Sequence, residues 1–182
     1  MKEIRWHARA GQGAKTAAQI LAIALLDAGK SVQAFPEYGP ERRGAPMRAY
    51  NRFDDKPIRR HDSVTEPHAV VVLEPSLLRE ADVTAGLHAD GLLLANTRAT
   101  PEELRERLGF TGEIHCVGVE RNSRFVNLVM LGALAAALGE PQLGALAEAA
   151  AQTLGRKVDP EAIRAAVVQG HESVASEATC AA

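Results

Sequence analysis

Two short stretches of this chain carry residue types that could bind or orient a ligand. One is Gly11-Gln12-Gly13, with Lys15 close behind, and the other is Glu41-Arg42-Arg43-Gly44, in a proline- and glycine-rich surround with Phe35 and Tyr38. Glycine at 11 and 13 lets the backbone turn sharply and leaves N–H groups pointing outward at the positive end of the helix that follows. An anion or a carbonyl can sit at such a place. The same pair can also be only the tight turn that packs a helix on a sheet. Lys15 falls in the first helical turn, where a cation opposes the helix dipole by roughly 0.3–1 kcal/mol unless it is compensated or solvated. In the second stretch the arginine forks suit phosphates, or carboxylates across an interface, while an ion pair of Glu41 with Arg42 or Arg43 would merely shape the loop. The residues alone leave these alternatives open.

Established nucleotide templates do not fit. A Walker loop needs four residues between its first Gly and Gly-Lys-Ser/Thr, whereas Gly13-Ala14-Lys15-Thr16 follows Gly11 too closely and splits Gly from Lys. The dinucleotide fingerprint wants Gly or Ala where the chain has Thr16. His7, His61, His68, His88, His115 and His171 are scattered without H-x-x-x-H spacing, and Cys116 and Cys180 suggest neither a metal site nor a disulfide framework. No nucleophile elbow occurs. No catalytic set is complete.

The elements that must position the two stretches read as α/β. Glu3–His7 is a short strand, Ala14–Leu26 a buried helix with Gly29 beyond its end, and Ser31–Phe35 the next strand. Strand, glycine turn, helix and strand make a βαβ beginning, which places both stretches at the carboxyl edge of a parallel sheet. Ala45–Arg52 alternates, and Ile58-Arg59-Arg60 beyond the Asp54–Pro57 turn reads as a return strand, so a small hairpin insertion makes the sheet mixed rather than wholly parallel. Ala69–Leu73 and Gly91–Asn96 are continuous apolar runs, the pattern of strands buried on both faces. Leu77–Ala81 reads as one or two helical turns, and Ile114–Val117 as a further strand. Thr100-Pro101-Glu102-Glu103 carries cap, first-turn proline and capping box of a helix. Helices Phe125–Leu138, Leu143–Leu154 and Pro160 to about Gly170 make the last third helical. The expectation is a Rossmann-like, three-layer fold with a mostly parallel sheet, in one domain spanning 1–182.

A net charge of −2, a pI near 6.3 and no basic run longer than two argue against nucleic acid. The longest apolar run, Leu128–Leu138, is about half a membrane span. With no signal-like start, a soluble cytoplasmic protein is expected.

Taken together, Ile4–Ala14 with its Gly11-Gln12-Gly13 turn, Gln33–Pro46 with its Glu41-Arg42-Arg43-Gly44-Ala45-Pro46 segment, Ile58-Arg59, Pro67 and Val70–Pro75 resemble the gamma subunit of the 2-oxoacid:acceptor oxidoreductases, the pyruvate:ferredoxin oxidoreductase family. The resemblance covers nearly the whole chain, and Ala10 stands where the family usually has Gly. It implies an enzyme that converts a 2-oxoacid and coenzyme A to acyl-CoA and carbon dioxide, passing electrons to ferredoxin or another acceptor. Thiamine diphosphate and iron–sulfur clusters would belong to partner alpha, beta and delta (ferredoxin-like) subunits, since this chain lacks a G-D-G thiamine motif and the four thiolates a cluster takes. By that resemblance Gly11, Gln12, Gly13 and Lys15, with Glu41, Arg42, Arg43 and Gly44, are coenzyme A or subunit-interface loops. A purely structural assembly module and a free-standing nucleotide-binding protein are the other readings.

Overall fold

The computed structural model describes residues 1–38, 44–80, 82–120 and 123–180. Six strands, β1 (Lys2–Arg9), β2 (Ser31–Tyr38), β3 (Pro46–Asp54), β4 (Ala69–Val72), β5 (Leu92–Ala95) and β6 (Glu113–Cys116), form one sheet in the order β2-β3-β1-β4-β5-β6. Strands β1, β4, β5 and β6 are parallel neighbours, whereas β3 is antiparallel to both β1 and β2. The sheet is therefore mixed, as expected. Its hairpin is made by β2 and β3, one element earlier than the sequence reading placed it. Residues 58–60 form no strand, because the Arg60 and Asp62 carbonyls accept from the Arg52 guanidinium instead of from a backbone ladder.

Helices α1 (Ala14–Asp27), α4 (Val126–Leu138), α5 (Leu143–Leu154) and α6 (Pro160–Cys180) lie on one face of the sheet, over Ile4, Trp6 and Ala8 of β1. The other face carries α2 (Leu77–Glu80) and α3 (Pro101–Leu108), packed on Val70, Val72 and Leu93. Three layers result, held together by the two-residue alternation of the strands. Local signals act as read: Thr100 Oγ1 accepts from Glu103 N while Glu103 Oε2 accepts from Thr100 N, and Gly29 sits at φ +84° just past α1. Helix α6 runs well beyond Gly170. That glycine admits α4 at close range: a Cβ there would lie 1.8 Å from Val129 O, and one at Gly132 would lie 1.9 Å from Val167 O.

Among the described residues no helix covers the second face beneath β1, β3 and β2; buried polar side chains line it instead. Arg52, fully buried, donates from Nε to Glu3 Oε1 at 2.6 Å. Arg5 donates from Nε to His7 Nε2 at 3.0 Å and from Nη2 to the carbonyls of Val83 and Ala85, which ties the connection between α2 and β5 to β1. To accept from Arg5, His7 must be neutral. Burial first, then the charges of Arg5 and Arg48, hold its pKa at about 3 against an ordinary 6.5. The unfolded chain therefore takes up a proton near pH 6.5 that the folded chain refuses until about pH 3. Stability contributed by neutral His7 is complete above pH 6.5 and is lost as the pH falls through that window, by about 1.4 kcal/mol per unit for one proton. Urea midpoints at pH 7, 5 and 4 are expected to fall less steeply in His7→Gln, whose amide oxygen can still accept from Arg5. Equal slopes in the two proteins would rule this out.

Candidate functional site: a cleft at the carboxyl edge of the sheet

After β1 the chain moves to β2 on one side of the sheet, and after β3 it crosses to β4 on the other, so the carboxyl ends of β1 and β4 flank a topological switch point. A cleft of about 1130 Å³ opens there. That is somewhat larger than a drug-sized pocket and suits an extended ligand. Its walls come from the segments that follow four strands: Gly11 and Gln12 after β1, Glu74 and Ser76 after β4, Thr97 and Arg98 after β5, and Gly118 after β6, closed by Arg124 ahead of α4.

Three side-chain amides hold these segments in place. Gln12 Oε1 accepts from Arg9 N at 2.8 Å while its Nε2 donates to Glu74 Oε2 at 2.6 Å, joining the glycine turn to the β4 segment. Asn96, buried, donates from Nδ2 to Leu73 O at 2.8 Å and accepts at Oδ1 from Val119 N at 3.1 Å, spanning the ends of β4 and β6 across β5. Asn127 Nδ2 reaches Gly13 O at 3.4 Å and sets the start of α1. Gln12 and Asn96 thereby pair backbone groups at the cleft, while Asn127 adds a second, longer bond to a carbonyl that already accepts from Ala17 N.

The residues singled out from the sequence are only partly brought together. Gly11, at φ +99°, and Gln12 line the cleft. The Gln12 N–H, however, donates to Arg9 O at 3.1 Å, so the expected row of three outward amides is interrupted at its centre. Gly13, at φ +82°, is not among the lining residues; its backbone conformation favours glycine, and a Cβ there would displace the Asn127 amide, which it would meet at 2.7 Å. Lys15 is exposed and also stands outside the lining. Gly44 lies beside the glycine turn, its carbonyl accepting from Arg9 Nη1 at 3.1 Å, and Ala10 N donates to Ala45 O at 3.0 Å. Thus the end of the second stretch meets the first, as the βαβ reading required. Glu41, Arg42 and Arg43 lie outside the described residues.

The cations of the cleft are ones the sequence reading did not name: Arg79, Arg98 and Arg124. Among the described residues none of the three has a carboxylate partner, whereas Glu80 is engaged by Arg9 Nη2 at 2.5 Å. The available signal was positional: Arg98 and Arg124 each lie within three residues of an element end at the carboxyl edge, where open α/β sheets bind ligands. As for cofactors, among the described residues no three His, Cys, Asp or Glu side chains gather as a metal ligand set, and two cysteines in separate elements cannot supply an iron–sulfur cluster. No described helix is long and apolar enough to cross a membrane.

Residues 3–172 match the family Pyruvate ferredoxin/flavodoxin oxidoreductase. The chain belongs to this family. This oxidoreductase chain is 46% identical over 181 residues to the pyruvate synthase subunit PorC of Thermotoga maritima, covering 94% of each. It is 43% identical over 184 residues to the pyruvate/ketoisovalerate oxidoreductases common subunit gamma of Thermococcus kodakarensis, covering 97% of this chain and all of that one. The crystal structure of the Thermotoga maritima pyruvate oxidoreductase subunit superposes with a TM-score of 0.81 over 94% of this chain and 95% of the other. The mixed sheet with its helical C-terminal third is the architecture of that subunit, and the chain is a gamma-type member of its family.

Proposed function

We propose that this gamma-type chain works in the cytoplasm within a 2-oxoacid:acceptor oxidoreductase that converts a 2-oxoacid and coenzyme A to acyl-CoA and carbon dioxide, and that its cleft receives the phosphate-bearing part of coenzyme A. The alpha and beta subunits and a ferredoxin-like delta subunit are its partners, with ferredoxin or another acceptor taking the electrons. Thiamine diphosphate and iron–sulfur clusters are assigned to those partners, and no chemical step is assigned to this chain. The observation that carries the reading is the set of three arginines, free of carboxylate partners among the described residues, in an open cleft at the switch point. Such guanidinium groups form charge-assisted, bidentate bonds to phosphate, and they surrender no existing ion pair in doing so. Gly11, Gln12 and Gly13 with Lys15 form the border of the same region, and Glu41, Arg42, Arg43 and Gly44 are assigned to coenzyme A or to a neighbouring subunit.

The test is made in the reconstituted complex. Arg98→Ala and Arg124→Ala are each expected to raise the KM for coenzyme A about tenfold, the equivalent of one charged hydrogen bond, with kcat within about twofold of the parent. An unchanged KM in both variants, with assembly intact, would leave the chain as an assembly module alone.

A further inference from the structure

The cleft holds both signs of charge. Glu74 lines it beside three arginines, yet among the described residues it makes no ion pair with any of them. Its oxygens are held by neighbours in the cleft wall. Oε2 accepts from Gln12 Nε2 at 2.6 Å, and Oε1 accepts weakly from Ser76 N at 3.3 Å. The Gln12 amide cannot be reversed without loss, because its oxygen already takes the Arg9 N–H at 2.8 Å. Only its NH2 group can face the carboxylate.

A carboxylate offers about four lone-pair sites, so two remain on Glu74 after these bonds. Gln12 and Glu74 follow β1 and β4 with Arg79 on α2 just beyond, while Arg98 follows β5, and Glu120 and Arg124 follow β6. At about 4.8 Å per strand, the β4 and β6 ends stand roughly 10 Å apart, so among the cleft arginines only Arg124 is set two strands from Glu74. Both ends of the cleft therefore carry donors and acceptors, and what sets Glu74 apart is that a neutral side-chain amide fixes it, whereas Glu80 in the same lining is neutralised by Arg9.

We infer that Glu74 is a specificity-determining residue, fixed in place by Gln12, that takes an N–H donor from the non-phosphate portion of the ligand whose phosphates lie over the arginines. The ligand class is a phosphorylated molecule bearing amide or amine donors several ångströms from its phosphates. A simple polyphosphate would meet repulsion at the Glu74 carboxylate itself. This inference rests on the cleft being the coenzyme A site, since coenzyme A carries such donors on both its pantetheine arm and its adenine.

The experiment uses the assembled enzyme with coenzyme A and with pantetheine, which has the amides but no phosphate. Glu74→Gln is chosen because the new amide can turn its oxygen to the Gln12 NH2 group and present its own NH2 to the ligand, keeping the packing while reversing the polarity. Its KM for coenzyme A is expected to rise about tenfold with kcat and thermal midpoint unchanged. A parallel rise with pantetheine places the donor on the pantetheine arm, and a rise with coenzyme A alone places it on adenine; either result supports the inference. Gln12→Ala is expected to raise KM in the same direction, and the double variant to be no worse than the larger single one, as two members of one unit behave. An unchanged KM in Glu74→Gln, or full additivity with Gln12→Ala, overturns the inference. Arg98→Ala in the same assay keeps the two readings separate: if it raises the KM for coenzyme A while Glu74→Gln does not, the cleft reading stands and the role of Glu74 falls.

Discussion

Glu3→Ala is expected to destabilise the chain by about 3–5 kcal/mol, the range for removing one partner of a buried ion pair. Arg52 has no exposed side-chain surface and Glu3 only 7%, so the guanidinium left behind would lose its close anionic partner beneath the sheet. Its other bonds, to Gln33 Oε1 and the carbonyls of Arg60 and Asp62, satisfy donors but supply no negative charge at close range. Asp62 stands farther off, at 3.7 Å, and is half exposed. Urea unfolding at pH 7 measures the effect. Replacing both residues together, as Glu3→Leu with Arg52→Met, is expected to cost markedly less than Glu3→Ala, because no charge remains buried. A single-variant cost below about 1 kcal/mol would mean that water reaches Arg52 in the folded chain.

The second large effect is expected where α4 crosses α6. At Gly132 and Gly170 the backbones of the two helices approach so closely that an added methyl would overlap a carbonyl oxygen of the facing helix. A flexible side chain could move aside, but a helix backbone cannot without shifting its whole packed face. Gly132→Ala and Gly170→Ala are each expected to lose about 3 kcal/mol, near the upper end for overpacking, or roughly 6–12 °C in Tm for a chain of this size. Gly144→Ala serves as the control. That glycine lies in α5 with nothing near its missing Cβ, so the substitution is expected to raise stability by up to about 1 kcal/mol through helix propensity. If all three variants melted alike, the close crossing of α4 and α6 would be wrong.

The difference between these glycines explains part of what was legible in the sequence. Gly29 reads correctly as a helix end because its role is local: a positive φ just after the last turn. Gly170 reads wrongly as a stop because its role is set by α4, some forty residues away. The same division runs through the site. The glycine turn, the buried strands before Glu74 and Asn96, and the capping box at Thr100 are written in neighbouring residues, and all are found where expected. Arg98 and Arg124 were not legible as a pair, since nothing in spacing or periodicity tells that β5 and β6 lie side by side beyond β4. Nor were Glu3, Arg5, His7 and Arg52. Alternation assigns them to the face away from the core, ordinarily a solvated face, whereas here loop carbonyls and one another bury them.

Asn96 shows what kind of object the cleft is. Its two bonds run to main-chain atoms, Leu73 O and Val119 N, and neither depends on the identity of the residues that face the ligand. Asn127 likewise grips a main-chain carbonyl. The floor is therefore a frame and the arginines are its facing. Exchange of Arg79, Arg98 or Arg124 disturbs no hydrogen bond of the frame, so the surface presented to a ligand can drift from one lineage to another at little cost in folding, while Asn96 has no such freedom.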